Sequence, residues 1–229
     1  MMNYRNHQQK LATILALGFL FLSSAEINAQ TRLVGGCQGG IIQPVGSLNN
    51  RFRSTEGYAL EIGYTNPATN SLLSFSYLQY QLQRPNETRL YFDEIKMKFV
   101  NQAVGINSYY PLLRYKRWLT VDLGGGLTLN RWSFQRQAYS GVDTLDHSAP
   151  YDSVITLNLV KFGQRDWSWG GKIGGSLTLS PIRWLQLGWG CYLHLIIAEL
   201  WPNLDLHLEN VSGLFLLESF GFVRFNFYF

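Results

Sequence analysis

The segment Leu119–Asn130 alternates without a break. Leu119, Val121, Leu123, Leu127 and Leu129 fall on one face, and Thr120, Asp122, Gly124, Gly126, Thr128 and Asn130 on the other. Period two is the repeat of a strand. On a helix the same apolar residues would spread around the whole cylinder. The second face also constrains the kind of sheet. A small soluble barrel fills its interior with apolar side chains, whereas here the second face of the good strands is Gly, Ser, Thr, Asn, Asp, Gln and Lys. Such residues suit a polar lumen, and the Leu, Val and Phe of the first face suit lipid.

The pattern recurs at Tyr58–Tyr64, Trp169–Leu179 and Leu187–Leu195, and at Phe215–Phe229 at the C-terminus. Weaker versions lie at Ser71–Leu82 and Lys98–Tyr110, and Gly39–Ser47 is the faintest, counted to keep the strand number even. The sequence therefore predicts an all-β fold: a closed antiparallel up-and-down membrane β-barrel of about eight strands. The strands are expected near residues 39–47, 56–66, 71–82, 98–110, 118–131, 167–180, 184–197 and 213–229. The first and last should pair, because an open edge in lipid leaves backbone groups unsatisfied.

Connections support the same reading. Asn66–Asn70, Pro111–Arg117 and Ser180–Arg183 are short, while Leu48–Thr55, Gln83–Met97, Trp132–Asp166 and Ala198–Ser212 are long. Short periplasmic turns and longer outer loops are what membrane barrels show. Val154–Lys161 reads either as part of the third long loop, as an extra hairpin above the membrane, or as a barrel strand that needs a partner. Tyr109, Tyr110, Trp118, Trp184, Tyr228 and Phe229 flank the short turns or the C-terminus, and Trp132, Trp167, Trp169 and Trp201 flank the long loops. Two aromatic belts at opposite strand ends match the interfacial girdles of such a barrel.

The N-terminus carries Arg5, His7 and Lys10, then the apolar run Leu11–Leu22, then the small residues Ser23, Ser24, Ala25 and Ala29. That order is a secretory signal peptide, and the run is too short for a membrane-spanning helix. Residues 1–29 are expected to be the leader and residues 30–229 the barrel domain; cleavage after Ala25 also fits. Val34-Gly35-Gly36-Cys37 faintly matches a lipoprotein box, but Glu26 and Arg32 separate it from the apolar run. The net charge of +4 comes from scattered Lys and Arg, which does not suggest nucleic acid. Export permits a disulfide between Cys37 and Cys191. The strand order argues against it: Cys37 should precede or begin the first strand, Cys191 should face lipid, and the last strand lies between.

Inward positions carry the candidate site. Asp122 and Arg224 each lie about five residues from the periplasmic end, hence at similar depth, and are expected to meet across the lumen. Lys172, His194 and Glu218 fall toward the outer ends of their strands, with Glu218 expected to accept from Lys172 or His194, and Glu61 is a further inward charge. Charges in a narrow lumen pair, because an unpaired one keeps its desolvation cost. A structural polar network that plugs the channel is the favoured reading; His194 with Glu218 and a nearby serine would instead suit a deacylase. Asp146-His147-Ser148 are sequence neighbours in a loop and are a poor catalytic set. Asp205, His207 and Glu209 are too loosely spaced for a zinc site. Gly124-Gly125-Gly126 lies inside a strand, where glycine marks close packing or a bend. No metal or cofactor is expected.

The C-terminal Gly221-Phe222-Val223-Arg224-Phe225-Asn226-Phe227-Tyr228-Phe229 resembles the terminal strand signal of outer-membrane proteins, with Gly221, Phe225, Phe227 and Phe229 in the signal positions. That resemblance implies recognition by the outer-membrane barrel assembly machinery. The layout of the chain resembles small outer-membrane barrels of the Bacteroidota, and is loosely similar to the TraO proteins of conjugative transposons. The carriers are Ala29-Gln30, Gln38-Gly39-Gly40, Tyr151-Asp152, Leu179-Ser180-Pro181-Ile182-Arg183-Trp184 and Arg224-Phe225-Asn226-Phe227. The resemblance implies a non-enzymatic structural or interaction component of the cell envelope, within a conjugal transfer apparatus. Its partners would be outer-membrane lipids and envelope or transfer-apparatus proteins. The alternatives are a lipid-modifying enzyme of deacylase or acyltransferase type on the same barrel, and a conducting pore.

Overall fold

The computed structural model describes residues 32–83, 96–116, 118–145, 153–200 and 211–228. The expected leader, the Asp146–Ser148 and Asp205–Glu209 segments, Trp201 and Phe229 lie outside them. Among the described residues the strands are β1 (Arg32–Val45), β2 (Thr55–Thr65), β3 (Leu72–Leu82), β4 (Met97–Tyr115), β5 (Leu119–Arg136), β6 (Tyr139–Leu145), β7 (Ser153–Leu159), β8 (Phe162–Ile182), β9 (Leu185–Leu200) and β10 (Val211–Tyr228). Eight of them close into a barrel in the order β1-β10-β9-β8-β5-β4-β3-β2. All neighbours are antiparallel, and β1 meets β10 from Arg32 opposite Tyr228 to Val45 opposite Phe215. The strands β6 and β7 pair only with each other. They are the hairpin arm of the third long loop, so Val154–Lys161 adds no barrel strand.

Three boundaries differ from expectation. The first strand begins at Arg32, so Cys37 sits well inside β1 opposite Val223 and Leu60. The glycines at 35, 36, 39 and 40 have no side chains with which to display alternation, which hides this strand in the sequence. Pro111 belongs to β4 rather than to a turn, and the ladder absorbs it with a register shift between Pro111 and Leu113. A bulge of this kind is where a strand tolerates proline. Finally, β5 and β8 run on together to Arg136 and Phe162, past the expected ends. Both cysteines are free thiols, on strands separated by β10.

The alternation in β5 places Thr120, Asp122, Gly124, Gly126, Thr128 and Asn130 inward and the leucines outward, where Leu123 and Leu127 are exposed. The outer wall elsewhere shows Leu60, Ile106, Ile173, Trp189, Ile197 and Phe225, all exposed. The lumen differs from the wholly polar interior expected. Its short-turn end is polar, but toward the long loops it is an apolar core that includes Ile42, Leu82, Phe99, Phe134, Leu214 and Leu216. Trp132, expected in the outer belt, points into this core and is 1% exposed, stacked on Phe99. The 3-10 turn Gly46–Leu48 after β1 folds into the same mouth and buries Leu48, followed by Phe52. Inward even-numbered positions of β5 thus change from Asp, Gly and Thr to Trp132 and Phe134 as the strand leaves its alternating stretch.

Candidate functional site in the lumen

Two polar clusters occupy the barrel interior below the apolar core. Nearer the short turns, Arg224 on β10 and Glu61 on β2 form a buried ion pair: Arg224 Nε donates to Glu61 Oε2 at 2.7 Å. Ser74 Oγ donates to Glu61 Oε1 at 2.6 Å, and Gln38 Nε2 to Oε2 at 3.1 Å. The pair is assembled by a glycine. In the ladders, Gly36 of β1 stands opposite both Arg224 and Glu61. A Cβ at Gly36 would lie 2.9 Å from Arg224 Cγ and 2.7 Å from Val223 O, so only glycine lets the two side chains meet across the intervening strand. The guanidinium also lies over the rings of Tyr109 and Phe222, 4.8 and 4.2 Å from their centroids.

Asp122 is not the partner of Arg224. It accepts from Thr178 Oγ1 at 2.8 Å on the neighbouring strand β8. Arg224 is taken by Glu61 on β2, while Asp122 bonds within the β5–β8 ladder. Both do border a small cavity of about 70 Å³ at the short-turn end, which also touches Arg32 and Arg114.

The second cluster lies farther up. His194 Nδ1 donates to Glu218 Oε1 at 2.6 Å, and Lys172 Nζ lies 3.6 Å from Glu218 Oε2. His194 Nε2 is 2.9 Å from Thr128 Oγ1, whose hydroxyl accepts from Asn130 Nδ2 at 2.9 Å. Trp132 Nε1 donates to Ser168 Oγ, which links this cluster to the apolar core above. Glu218 and His194 are 0% exposed. A carboxylate so buried is tolerated because a cation and a ring N–H both reach it.

The edge-to-face pair Tyr109–Tyr192 separates the two clusters. Glycines again make the space. A Cβ at Gly124 would lie 2.6 Å from the Tyr109 ring, and one at Gly174 would lie 2.7 Å from the Tyr192 ring and 2.0 Å from Cys191 O. Thus the run Gly124-Gly125-Gly126 serves packing: Gly124 accommodates the tyrosines and Gly126 makes room for Asn107.

Thr128, His194 and Glu218 stand in the order hydroxyl, imidazole, carboxylate, as a nucleophile, base and orienting acid would. The hydroxyl is threonine rather than serine, and it points inward and is 2% exposed. Among the described residues every barrel strand is paired on both sides, which closes the wall around it. Among the described residues, no group of three His, Cys, Asp or Glu side chains could hold a metal. Tyr109, expected in the aromatic belt beside the short turns, instead points into the lumen and is 5% exposed. Residues missed from sequence are Gln38, Ser74, Thr128, Thr178 and Tyr192. Inward parity was the available signal for Tyr192, two residues before His194. Of the C-terminal signal positions, Gly221, Phe225 and Phe227 share the outward face of β10.

No protein-family model and no curated protein matches the chain. Solved structures do. A major outer-membrane protein from Thermus thermophilus superposes with a TM-score of 0.52 at 9% identity, over 86% of this chain and 99% of that one. Neisserial surface protein A gives a TM-score of 0.47 at 16% identity, over 86% and 97%. The N-terminal barrel domain of Pseudomonas aeruginosa OprF gives 0.42 at 12%, over 87% and 98%. Identities this low speak to the fold alone, and the fold of this chain is the closed eight-stranded antiparallel barrel found in outer-membrane proteins.

Proposed function

We propose that the protein is a non-enzymatic barrel of the outer membrane, a structural or interaction component of the cell envelope. The observation that carries this reading is the pairing of an apolar outer wall with a lumen filled by side chains. In water the exposed belt of Leu, Ile, Phe and Trp would be a large aggregation-prone patch; in lipid it is the matching surface. The burial of Thr128, His194 and Glu218 in a closed wall supports a structural role for them over lipid chemistry.

Within this reading the short turns face the periplasm, the long loops and the β6–β7 arm face outward, and residues 1–29 are removed on export. The strand-end pattern Gly221, Phe225, Phe227 and Phe229 is the signal for the barrel assembly machinery. The TraO-like layout of the sequence supports a finer assignment, to a conjugal transfer apparatus. Expression with the leader intact tests the coarse reading. The protein should fractionate with the outer membrane, begin at Gln30, and migrate faster on gels unboiled than boiled, as a closed barrel does. Recovery in the soluble periplasm would refute it. Transfer genes beside this gene, and loss of conjugation on its deletion, test the finer one.

A further inference from the structure

One part of the outer wall is hollow. Across β1, β2, β3 and the edge of β10 it sinks into a groove of about 930 Å³, within the range of about 300–1,000 Å³ that small-molecule sites occupy. Gly39 of β1 and Gly221 of β10, opposite each other in the ladder, line its floor. Both face outward, and packing does not require either to be glycine. A Cβ at Gly39 would lie 3.7 Å from the Tyr58 ring and one at Gly221 3.8 Å from Gly39 O, both ordinary contacts. The inward Gly40 differs, since a Cβ there would lie 1.9 Å from Ser219 O. The two outward glycines therefore keep open a space that a larger side chain would fill.

The ladders fix how deep each part of the groove lies. A row that leaves β8 at Trp167 passes through Gln79, Tyr58, Gly39 and Gly221 and returns to β8 at Leu177, ten residues nearer the short turns. A shear of ten over eight strands tilts them by about 41°, so the row drops about 3 Å per strand and a strand rises about 2.5 Å per residue. Gln81, Glu56 and Gln79 then lie about 5–10 Å below Trp167, at the level of the exposed Trp169 and just beneath it. Leu60 and Gly221 lie about 18–19 Å below Trp167, among the acyl chains of a surrounding bilayer. The groove is thus polar where headgroups meet chains and apolar beneath.

The polar end has a definite chemistry. Glu56 accepts from the Tyr58 hydroxyl at 2.9 Å, and Gln79 Oε1 accepts from the Tyr77 hydroxyl at 3.0 Å. Each keeps capacity to spare, a second carboxylate oxygen on Glu56 and the amide NH₂ on Gln79. Among the described residues no Lys or Arg lines the groove. A carboxylate, amides and tyrosine rings without a cation disfavour a phosphate. They suit sugar hydroxyls, which both donate and accept, and the apolar face of a sugar ring. Shape excludes a second copy as the occupant, because a two-fold axis would set groove against groove and leave both hollow.

We propose that this groove binds a membrane lipid with an uncharged sugar headgroup. One acyl chain lies over Gly39 and Gly221 against Leu60, and the sugar hydroxyls bond to Glu56 and Gln79 beside the Tyr58 ring. The inference rests on the membrane reading above.

The test uses the full-length chain, exported and purified in an amine-oxide detergent that carries neither sugar nor phosphate. Native mass spectrometry counts retained lipid. Monoglucosyldiacylglycerol is the probe, and phosphatidic acid with the same acyl chains is the comparison. Gly39→Leu with Gly221→Leu fills the floor. Glu56→Ala with Gln79→Ala removes the sugar contacts, and both side chains are exposed on the wall, so this variant keeps the fold. Gly171→Leu, outward on β8 and away from the groove, is the control. Wild type and control should retain the glucosyl lipid in preference to phosphatidic acid. The floor variant should hold it about tenfold more weakly, and the Glu56, Gln79 variant should lose about tenfold in preference. Unchanged retention by the folded floor variant, or unchanged preference in the other, overturns the proposal. So does a wild-type preference for phosphatidic acid. A lipid-free dimer that the floor variant dissociates also overturns it, and would make the groove an interface between copies. Insertion into phosphatidylcholine vesicles is scored separately. A protein that fails to insert overturns the membrane reading and this inference together; one that inserts without lipid preference overturns the inference alone.

Discussion

Glu61, Gly36 and Arg224 lie in one row across three strands, and the middle residue works by having no side chain. An ion pair so buried is costly to break, because the surviving partner is left charged and unsolvated, at about 3–5 kcal/mol. Glu61→Ala and Arg224→Ala should each destabilise the barrel by about that much, while the double variant should cost clearly less than the sum. Urea titrations of the four proteins in detergent measure this, and strict additivity would show that the two residues act independently. Inward facing was legible for both residues, since parity alone assigns it. Their partnership was not. Depth counted along single strands points to Asp122, but Glu61 and Arg224 meet along a ladder row, and that row is known only when the register of adjacent strands is known. The clue was present in Gly36, yet reading it requires knowing that β1 lies between β2 and β10 at that register. Glu218 was easier. Its neighbours Lys172 and His194 lie on successive strands joined by a short turn, so counting from that turn places them side by side, as the ladder does.

At the scale of elements, the alternating strands were legible and their extensions were not. In β5 the pattern Thr, Asp, Gly, Gly, Thr, Asn on the inward face gives way to Trp132, Phe134 and Arg136, so a rule that equates apolar with outward ends the strand too early. The inversion has a physical reason: where the strands rise past the apolar belt, the outer wall meets water or headgroups and the interior becomes the dry side. Trp132 and Trp167 should then behave oppositely, although both flank the third long loop. Trp132→Ala empties a buried site and removes the hydrogen bond to Ser168, at about 3–5 kcal/mol. Trp167 is exposed on the wall, and Trp167→Ala should cost well under half of that. Denaturant midpoints in detergent check both, and equal losses would contradict the placement of Trp132. The β6–β7 arm pairs only with itself, so replacing residues 139–159 with a short turn should leave the unboiled, fast-migrating form intact. Loss of that form would show that the arm supports the barrel.

For the whole molecule the closures act in series along the axis: the Glu61–Arg224 cluster, the tyrosine pair, the His194–Glu218 cluster, and the apolar core with Leu48 and Phe52 across the mouth. An eight-stranded barrel has room for little beyond its own side chains, and this one spends that room on both polar and apolar fillers. A series arrangement makes a specific prediction about ion flow. Planar-bilayer recordings of the wild type should show little steady conductance. Removing the charges of one cluster, as in the Glu61→Ala, Arg224→Ala double variant, should leave it low, because ions would still face the tyrosine pair and then an apolar segment. Thinning the apolar segment alone, with Trp132→Ala and Phe99→Ala, should likewise fail to open a stable path, since the two polar clusters remain beneath it. Only combined removal should raise conductance above background. A steady open channel in the wild type would refute the closed lumen outright. A channel opened by the Glu61 and Arg224 changes alone would show instead that one cluster is the gate and that the material above it is permeable.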